Sequence, residues 1–143
     1  MYQKASLSVT SIILFTTGLS LFYAQGTHFK GKLSRLPIDI VTAADITGTG
    51  SLTAELLGQD LRITANYEGI SSPATAIHIH RAARARRGPV AFTLNIPKMN
   101  GSLLETVKLN EEEIDILNQG NYYLQIHTEQ NPAGELRGWL LPY

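Results

Sequence analysis

Short segments in which apolar and polar residues alternate restrict this chain more than any other feature of its sequence. In the clearest of them, Leu61, Ile63, Ala65 and Tyr67 alternate with polar residues. Successive side chains of a strand point to opposite faces, so this pattern predicts a half-buried strand of an antiparallel sheet. Similar segments, separated by Gly, Pro and Asn, recur along the chain. They predict strands at 27–33, 36–41, 51–57, 61–68, 76–80, 90–96, 103–109, 121–127 and 135–141.

One helix is predicted, at 110–119. Asn110 is a favourable N-cap, Glu113 stands at the position that completes a capping box, and Gly120 follows the last turn. Strands and helices do not alternate along the rest of the chain. The sequence therefore predicts an all-β protein: an antiparallel Greek-key-type β-sandwich or barrel with one short helix.

Residues 1–26 differ in composition from everything that follows. Lys4 precedes an apolar run interrupted only by small polar residues and Gly, then Ala24-Gln25-Gly26, and the first acidic residue is Asp39. This pattern predicts a signal peptide, with 27–143 as a single exported domain and an extracytoplasmic location, periplasmic or secreted. An uncleaved membrane anchor is the alternative, since the apolar run is almost long enough to span a bilayer. The chain has no cysteine, so neither lipid attachment nor a disulfide is available.

The charge balance argues against a nucleic-acid-binding protein. Loss of residues 1–26 removes Lys4 and no acidic residue, which takes the net charge from 0 to −1. Positive charge is concentrated in one loop, which we call the arginine loop, at 81–89. It indicates either docking on an extracellular protein or acidic surface, or an ordinary solvated loop. Its arginines are Arg81, Arg84, Arg86 and Arg87.

Three of the four histidines occupy positions of matching parity in two predicted strands. His78 and His80 share one face of the strand at 76–80, about 6.5–7 Å apart along the backbone. His127 shares a face with Tyr123 and Gln125, opposite the aliphatic face of its own strand. Imidazole nitrogens bind copper and zinc, and affinity generally favours copper. The pattern therefore predicts a copper site at His78, His80 and His127.

The alternative is that each histidine belongs to a hydrogen-bond network that holds loops at the sheet margin. Arg137, ten residues after His127, has two interpretations as well. Its guanidinium group suits an anion beside the metal, or it pairs with Glu135 or Glu129 or braces the turn at 131–134. No nucleophile is grouped with a base, so no catalytic residue is predicted.

Several blocks of the sequence resemble the CHRD domain, the module named after chordin that also occurs singly in secreted bacterial proteins. The blocks include 76–80, Gly88-Pro89-Val90 and 117–123, and the most specific runs from His127-Thr128 through Asn131-Pro132-Ala133-Gly134 to Gly138. The loop after His80 departs from the pattern, because arginines replace the usual Gly and Pro. The resemblance implies a secreted β domain.

A second resemblance is to Cu/Zn superoxide dismutases, which also place a His-x-His strand before a later ligand histidine and an arginine. That family implies further ligand histidines between His80 and His127, and this chain has none there. Three functions therefore stay open: a copper-binding protein, a non-catalytic extracellular interaction or structural module, and a dismutase-like redox enzyme.

Export gives the first testable prediction. Protein recovered from outside the cytoplasm should begin at or near Thr27, because the preceding segment has the charge and apolar pattern that signal peptidases recognise. Intact-mass measurement of that material checks it. Retention of Met1 would contradict cleavage and support the anchored form.

Overall fold

The computed structural model describes residues 27–36, 40–97 and 101–143, and most of their regular structure is antiparallel strand. The described residues contain one helix, α1, and the all-β fold with one short helix is confirmed. The predicted signal peptide lies outside the described residues. The elements are β1 (Thr27–Arg35), β2 (Thr49–Leu57), β3 (Asp60–Glu68), β4 (Ala74–Arg81), β5 (Val90–Leu94), β6 (Gly101–Lys108), α1 (Glu111–Asn118), β7 (Tyr122–Thr128), β8 (Leu136–Trp139) and β9 (Leu141–Pro142).

The strands form a nearly closed sandwich in the order β5-β4-β7-β8-β1-β2-β3-β6, with β9 beside β1. Strand β1 joins the two layers, since its residues 27–33 pair with β2 whereas Ser34 and Arg35 pair with β8. The two end strands, β5 and β6, are consecutive in the chain. The Asn95 side chain, just after β5, donates a hydrogen bond to Glu105 on β6 and so links the two edges.

The strand predicted at 36–41 was wrong at Ile40 and Val41. Of the segment at 36–41, residues 37–39 lie outside the described residues, and Ile40 and Val41 form part of a turn. They are 93% and 81% exposed, so no element of the described residues covers them. An apolar pair alone does not make a strand when no neighbouring strand is in position to pair with it.

The pairing of β4 with β7 sends aliphatic side chains to the core face of the sheet and the histidines to the other face. Ile77 lies opposite Ile126, and Ile79 opposite Leu124, and all four side chains are buried. Burial of each contributes on the order of 1.5–3 kcal/mol. Because side chains alternate, the histidines of the same strands lie on the opposite face of this layer.

Helix α1 begins and ends where the sequence predicts. The Asn110 side chain accepts a hydrogen bond from the Glu113 backbone N–H (2.9 Å), and the Glu113 carboxylate accepts one from the Asn110 N–H (2.8 Å). Gly120 follows the helix with φ +70°, the left-handed conformation that glycine adopts without strain. Leu117 packs into the core, which fixes the chain's entry into β7.

A buried carboxylate fastens three loops below β7. Glu135 is 0% exposed, and no positively charged side chain of the described residues pairs with it. Its oxygens accept hydrogen bonds from the Ser71 N–H (2.6 Å), the Ser71 hydroxyl (2.7 Å), the Thr128 hydroxyl (2.6 Å), the Thr47 N–H (3.2 Å) and the Asn131 amide (3.4 Å). Burial raises the pKa of Glu135, but these hydrogen bonds outweigh it and hold the pKa below its ordinary value. Glu135 is therefore a charged structural anchor.

The second prediction concerns this anchor. Glu135→Gln should lower the free energy of unfolding by about 2–4 kcal/mol at pH 7, because an NH₂ group would face the Ser71 and Thr47 backbone donors, which cannot turn away. The wild-type carboxylate stabilises the fold above its ordinary pKa of about 4.3, and this contribution disappears as pH falls through its lower folded-state pKa. The gap between the two proteins should therefore narrow in acid.

Urea unfolding at several pH values measures it, with Glu129→Gln as the matched control, since Glu129 is exposed on the adjoining turn. A gap that stays constant down to pH 3 would contradict the assignment.

Candidate metal centre

Strands β4 and β7 bring the three predicted histidines together. His78 and His80 lie two residues apart on β4, and His127 lies across from Ala76, which precedes His78 by the same spacing. The ring centroids are 5.0 Å apart for His78 and His127, 5.7 Å for His78 and His80, and 6.1 Å for His80 and His127. One nitrogen from each ring lies within 4.8 Å of the other two, a spacing that could hold a metal ion.

Backbone carbonyls orient two of the rings. The Nδ1 atom of His80 lies 2.9 Å from the Gly88 carbonyl oxygen, and the Nδ1 atom of His127 lies 2.9 Å from the Pro132 carbonyl oxygen. Each Nδ1 therefore carries the proton, which leaves Nε2 with its lone pair. This is the support that metal-binding histidines usually have in proteins.

Two buried ring nitrogens, Nε2 of His80 and Nδ1 of His78, make no hydrogen bond with any described residue. An unpaired buried polar atom costs about 1–3 kcal/mol, so native proteins rarely keep one without a reason. Burial lowers the pKa of His78, and the neighbouring His127 and His80 lower it further. The ring of His78, which carries one of the two unpaired nitrogens, therefore favours the neutral, metal-binding form.

The pKa of His80 is also lowered. Burial is the main cause, the hydrogen bond to the Gly88 carbonyl opposes it, and His127 and Arg137 lower the pKa further. The donor set fits a metal ion that accepts imidazole ligands, as copper and zinc do, and three protein ligands leave one coordination position open.

Gln125 and Arg137 form a hydrogen-bonded pair beside His127. No role for Gln125 was predicted from the sequence. Arg137 donates from Nε (3.0 Å) and Nη2 (2.7 Å) to the Gln125 amide oxygen. This sets the amide orientation, so Nε2 of Gln125 donates to the Ala133 carbonyl oxygen (3.0 Å) and lies 3.3 Å from Nε2 of His127. A Cβ atom at Gly134 would lie 2.4 Å from Nε2 of Gln125, which explains a glycine there. The sequence did contain a signal for this role, because Gln125 shares the strand face of Tyr123 and His127.

Arg137 thus braces the turn at 131–134 through Gln125. It makes no ion pair with Glu135, which belongs to its own network, nor with Glu129 among the described residues.

Tyr123 forms the floor of the site beside His80. Their rings are stacked, 4.8 Å apart and 3° from parallel, and the Trp139 ring lies 4.7 Å from Tyr123. The Arg137 guanidinium carbon lies 4.3 Å from the centre of the same Tyr123 ring. These contacts bury the face of the sheet that lies opposite the core. His80, Tyr123 and Gln125 on that face are all at most 9% exposed.

The arginine loop covers this face. The Gly88 N–H donates to the Tyr123 hydroxyl (3.3 Å), and the Arg81 N–H donates to the Pro89 carbonyl (3.0 Å). Arg81 also forms an ion pair with Glu112 on α1 (3.2 Å). The other arginines of the loop are exposed.

His28, the fourth histidine, lies outside the cluster. Its Nε2 atom is 3.6 Å from the Glu55 carboxylate, and its ring meets the Tyr143 ring edge-on at 6.1 Å. It therefore offers a natural control for experiments on the other three.

The sandwich and its one short helix define the class of this protein as an antiparallel β domain, and the comparison with family models identifies the family. Residues 37–140 match the CHRD domain. The chain belongs to the CHRD-domain family, whose domains are generally extracellular modules. Neither the curated proteins nor the solved structures contain a match.

No helix within the described residues is long and apolar enough to cross a membrane.

Proposed function

We propose that this CHRD-domain protein is exported and binds a single copper ion through His78, His80 and His127. The observation that carries the proposal is the pair of buried imidazole nitrogens, on His78 and His80, that have no hydrogen-bond partner within the described part of the chain. A metal ion would supply the missing partner to both, and Nε2 of His127 would bind the same ion in place of its contact with Gln125, since the ligand atoms lie within 4.8 Å of one another.

Copper is preferred on chemical grounds. A site of neutral imidazoles binds divalent metals with an affinity that rises to Cu²⁺ and falls again at Zn²⁺. When bound, copper would supply an open coordination position and one-electron chemistry. The chain's own contribution is to hold the rings: the Gly88 and Pro132 carbonyls fix the tautomers, and Arg137 holds Gln125 against His127.

Export is supported by the apolar segment at 1–26 and by the family, whose members are generally extracellular. Strand β1 begins at Thr27, and Phe29 is its first fully buried residue. Cleavage before Thr27 would therefore leave the folded domain intact.

A second candidate function is a metal-free extracellular interaction module, whose partner is a protein or an acidic surface. It is favoured by the hydrogen bonds from His80 to the arginine loop and from His127 to the 131–134 turn. These bonds give both rings a structural role that needs no metal. The exposed Arg84, Arg86 and Arg87 would provide the contact surface. No observation favours the dismutase-like activity over these two.

The third prediction separates the two candidates. His78→Ala should weaken Cu²⁺ binding by at least about 100-fold, more than the 10–100-fold that loss of a supporting residue typically costs. The metal-free variant should be as stable as wild type, because no hydrogen bond is lost from the orphaned Nδ1 atom. Calorimetric copper titration of tag-free protein, together with urea unfolding, measures both quantities.

The matched control is His28→Ala, which removes a histidine outside the cluster and should leave copper affinity unchanged. His80→Ala tests a second ligand, with far-UV circular dichroism to verify that the strands persist after loss of the Tyr123 stack. Equal copper binding by wild type and His78→Ala, or none by either, would leave the interaction module as the function.

The fourth prediction concerns pH. Copper affinity should fall in acid, because protons compete for the same imidazole nitrogens. Since the pKa values of His78 and His80 lie below their ordinary value of 6.5, the steepest part of the fall in affinity should lie below pH 6.5. Competition titrations in non-chelating buffers check it, and an affinity that falls more steeply above pH 6.5 than below it would contradict it.

A further inference from the structure

The three rings of the histidine cluster are not equally free to bind a metal ion. Nδ1 of His78 and Nε2 of His80 are unpaired within the described part of the chain. Nε2 of His127, by contrast, lies 3.3 Å from Nε2 of Gln125. Since Nδ1 of His127 donates its proton to the Pro132 carbonyl, its Nε2 atom has only a lone pair and must accept from the Gln125 amide. One of the three ligands is therefore already occupied by a residue of the chain itself.

The Gln125 amide is fixed in the orientation that makes this hydrogen bond. Its oxygen accepts two hydrogen bonds from Arg137, at 3.0 Å and 2.7 Å, so the NH₂ group must face the other way. One N–H of that group donates to the Ala133 carbonyl oxygen (3.0 Å), which leaves the second N–H for His127. Gln125 is only 3% exposed, and the chain itself uses both donors and both acceptor positions of the amide.

A metal ion and Gln125 must therefore compete for one lone pair. Nε2 of a neutral imidazole can accept the Gln125 N–H or bind a metal, but it cannot do both at once. When the metal binds, a nitrogen–metal bond replaces the hydrogen bond, and no proton or electron leaves the protein. Arg137 and Ala133 still hold the amide in place, so the displaced N–H remains beside His127 and can recapture it.

We propose that Gln125 is an internal competitor for the third ligand and makes this centre an exchangeable copper site. Copper binds first to the two unpaired nitrogens, on His78 and His80, and completes its ligand set by displacing Gln125 from His127. Release follows the reverse order. When Gln125 recaptures His127, the ion is left on two imidazoles, with open positions for the nitrogen or sulfur ligands of an accepting molecule. The inference rests on the proposed copper site and adds that the site passes copper on rather than keeping it.

The alternative is that Gln125 only supports His127 as a ligand. Supporting groups usually bind the ring nitrogen that faces away from the metal, which in His127 is Nδ1, held by Pro132. Loss of such a group typically weakens metal binding by about 10–100-fold. Loss of a competitor has the opposite effect, because the metal no longer has to break a hydrogen bond. The direction in which copper affinity changes therefore distinguishes the two roles.

The first experiment compares wild type with Gln125→Met, which keeps the length of the side chain and removes its N–H donors. Competition titration with Cu²⁺ should show that Gln125→Met binds copper about three- to tenfold more tightly, the equivalent of one net hydrogen bond. Transfer of copper to an added chelator should slow by a similar factor. Gln130→Met is the matched control, since Gln130 is exposed and its side chain makes no hydrogen bond among the described residues. It should leave both quantities unchanged.

The second experiment uses wild type alone and titrates it with Zn²⁺, a diamagnetic ion that also binds imidazole. The two side-chain N–H signals of Gln125 are followed by ¹H–¹⁵N NMR. The signal of the N–H that faces His127 should shift and saturate, because it loses its acceptor, whereas the N–H that faces Ala133 should change much less. The side-chain amide of Asn66, exposed on β3, is the remote reference.

The proposal is overturned if folded Gln125→Met binds Cu²⁺ no more tightly than wild type, or if Zn²⁺ leaves the Gln125 signal that faces His127 unchanged. Circular dichroism verifies the fold of the variant, and the Zn²⁺ titration decides the matter if the variant does not fold. Failure of the copper proposal looks different, because wild type itself would then bind no copper. That result would overturn both, whereas wild type that binds copper and a variant that binds it equally or more weakly would overturn this inference alone.

Discussion

The antiparallel pairing of β4 with β7 is the interaction on which the rest of the structure depends. Its register sets Ile77 against Ile126 on one face and His78 against Gln125 on the other. A slip of one residue would carry the isoleucines out of the core and the histidines into it, at a cost of about 1.5–3 kcal/mol for each exposed aliphatic side chain. Each imidazole buried without a hydrogen bond would add a desolvation cost. The same pairing therefore stabilises the fold and assembles the histidine cluster.

The face that carries the histidines is enclosed by two segments far apart in the chain. The arginine loop reaches it through Gly88, and the turn at 131–134 reaches it through the Pro132 and Ala133 carbonyls. The buried Glu135 carboxylate accepts a hydrogen bond from the Asn131 side chain of that turn. Arg137 holds the Gln125 amide, which in turn donates to the Ala133 carbonyl. The unusual composition of this turn follows from these contacts, since Gly134 must leave room for the Gln125 amide.

Two orphaned ring nitrogens distinguish the cluster from an ordinary set of structural histidines. The rest of the surroundings is well satisfied: the Glu135 carboxylate accepts six hydrogen bonds, and each polar group of the Gln125 amide has partners. Unpaired buried atoms beside such a complete network are the kind of local cost that proteins tend to keep at functional sites. A metal ion at the histidines would supply the partner that these two nitrogens lack.

Local chemistry in the sequence was enough for most of the fold and for the identity of the cluster. Alternation placed the strands, the Asn110 and Glu113 pair placed the helix, and the parity of His78, His80 and His127 put all three on the face opposite the core. These features depend on neighbours within a few residues, which a sequence displays directly. The segment at 36–41 failed for the same reason, because its apolar residues carry no information on whether a partner strand is present.

What closes over the histidines depended on tertiary structure. Burial of His80 by the arginine loop, the link from Arg137 through Gln125 to His127, and the packing of Arg137 over the Tyr123 ring all join segments that are separated along the chain. Sequence spacing constrains side chains on one strand, but contacts between a loop and a sheet depend on where the whole chain folds back. The pattern in the sequence could therefore indicate which histidines share a face, whereas only the folded chain determined which of their nitrogens were left without a partner.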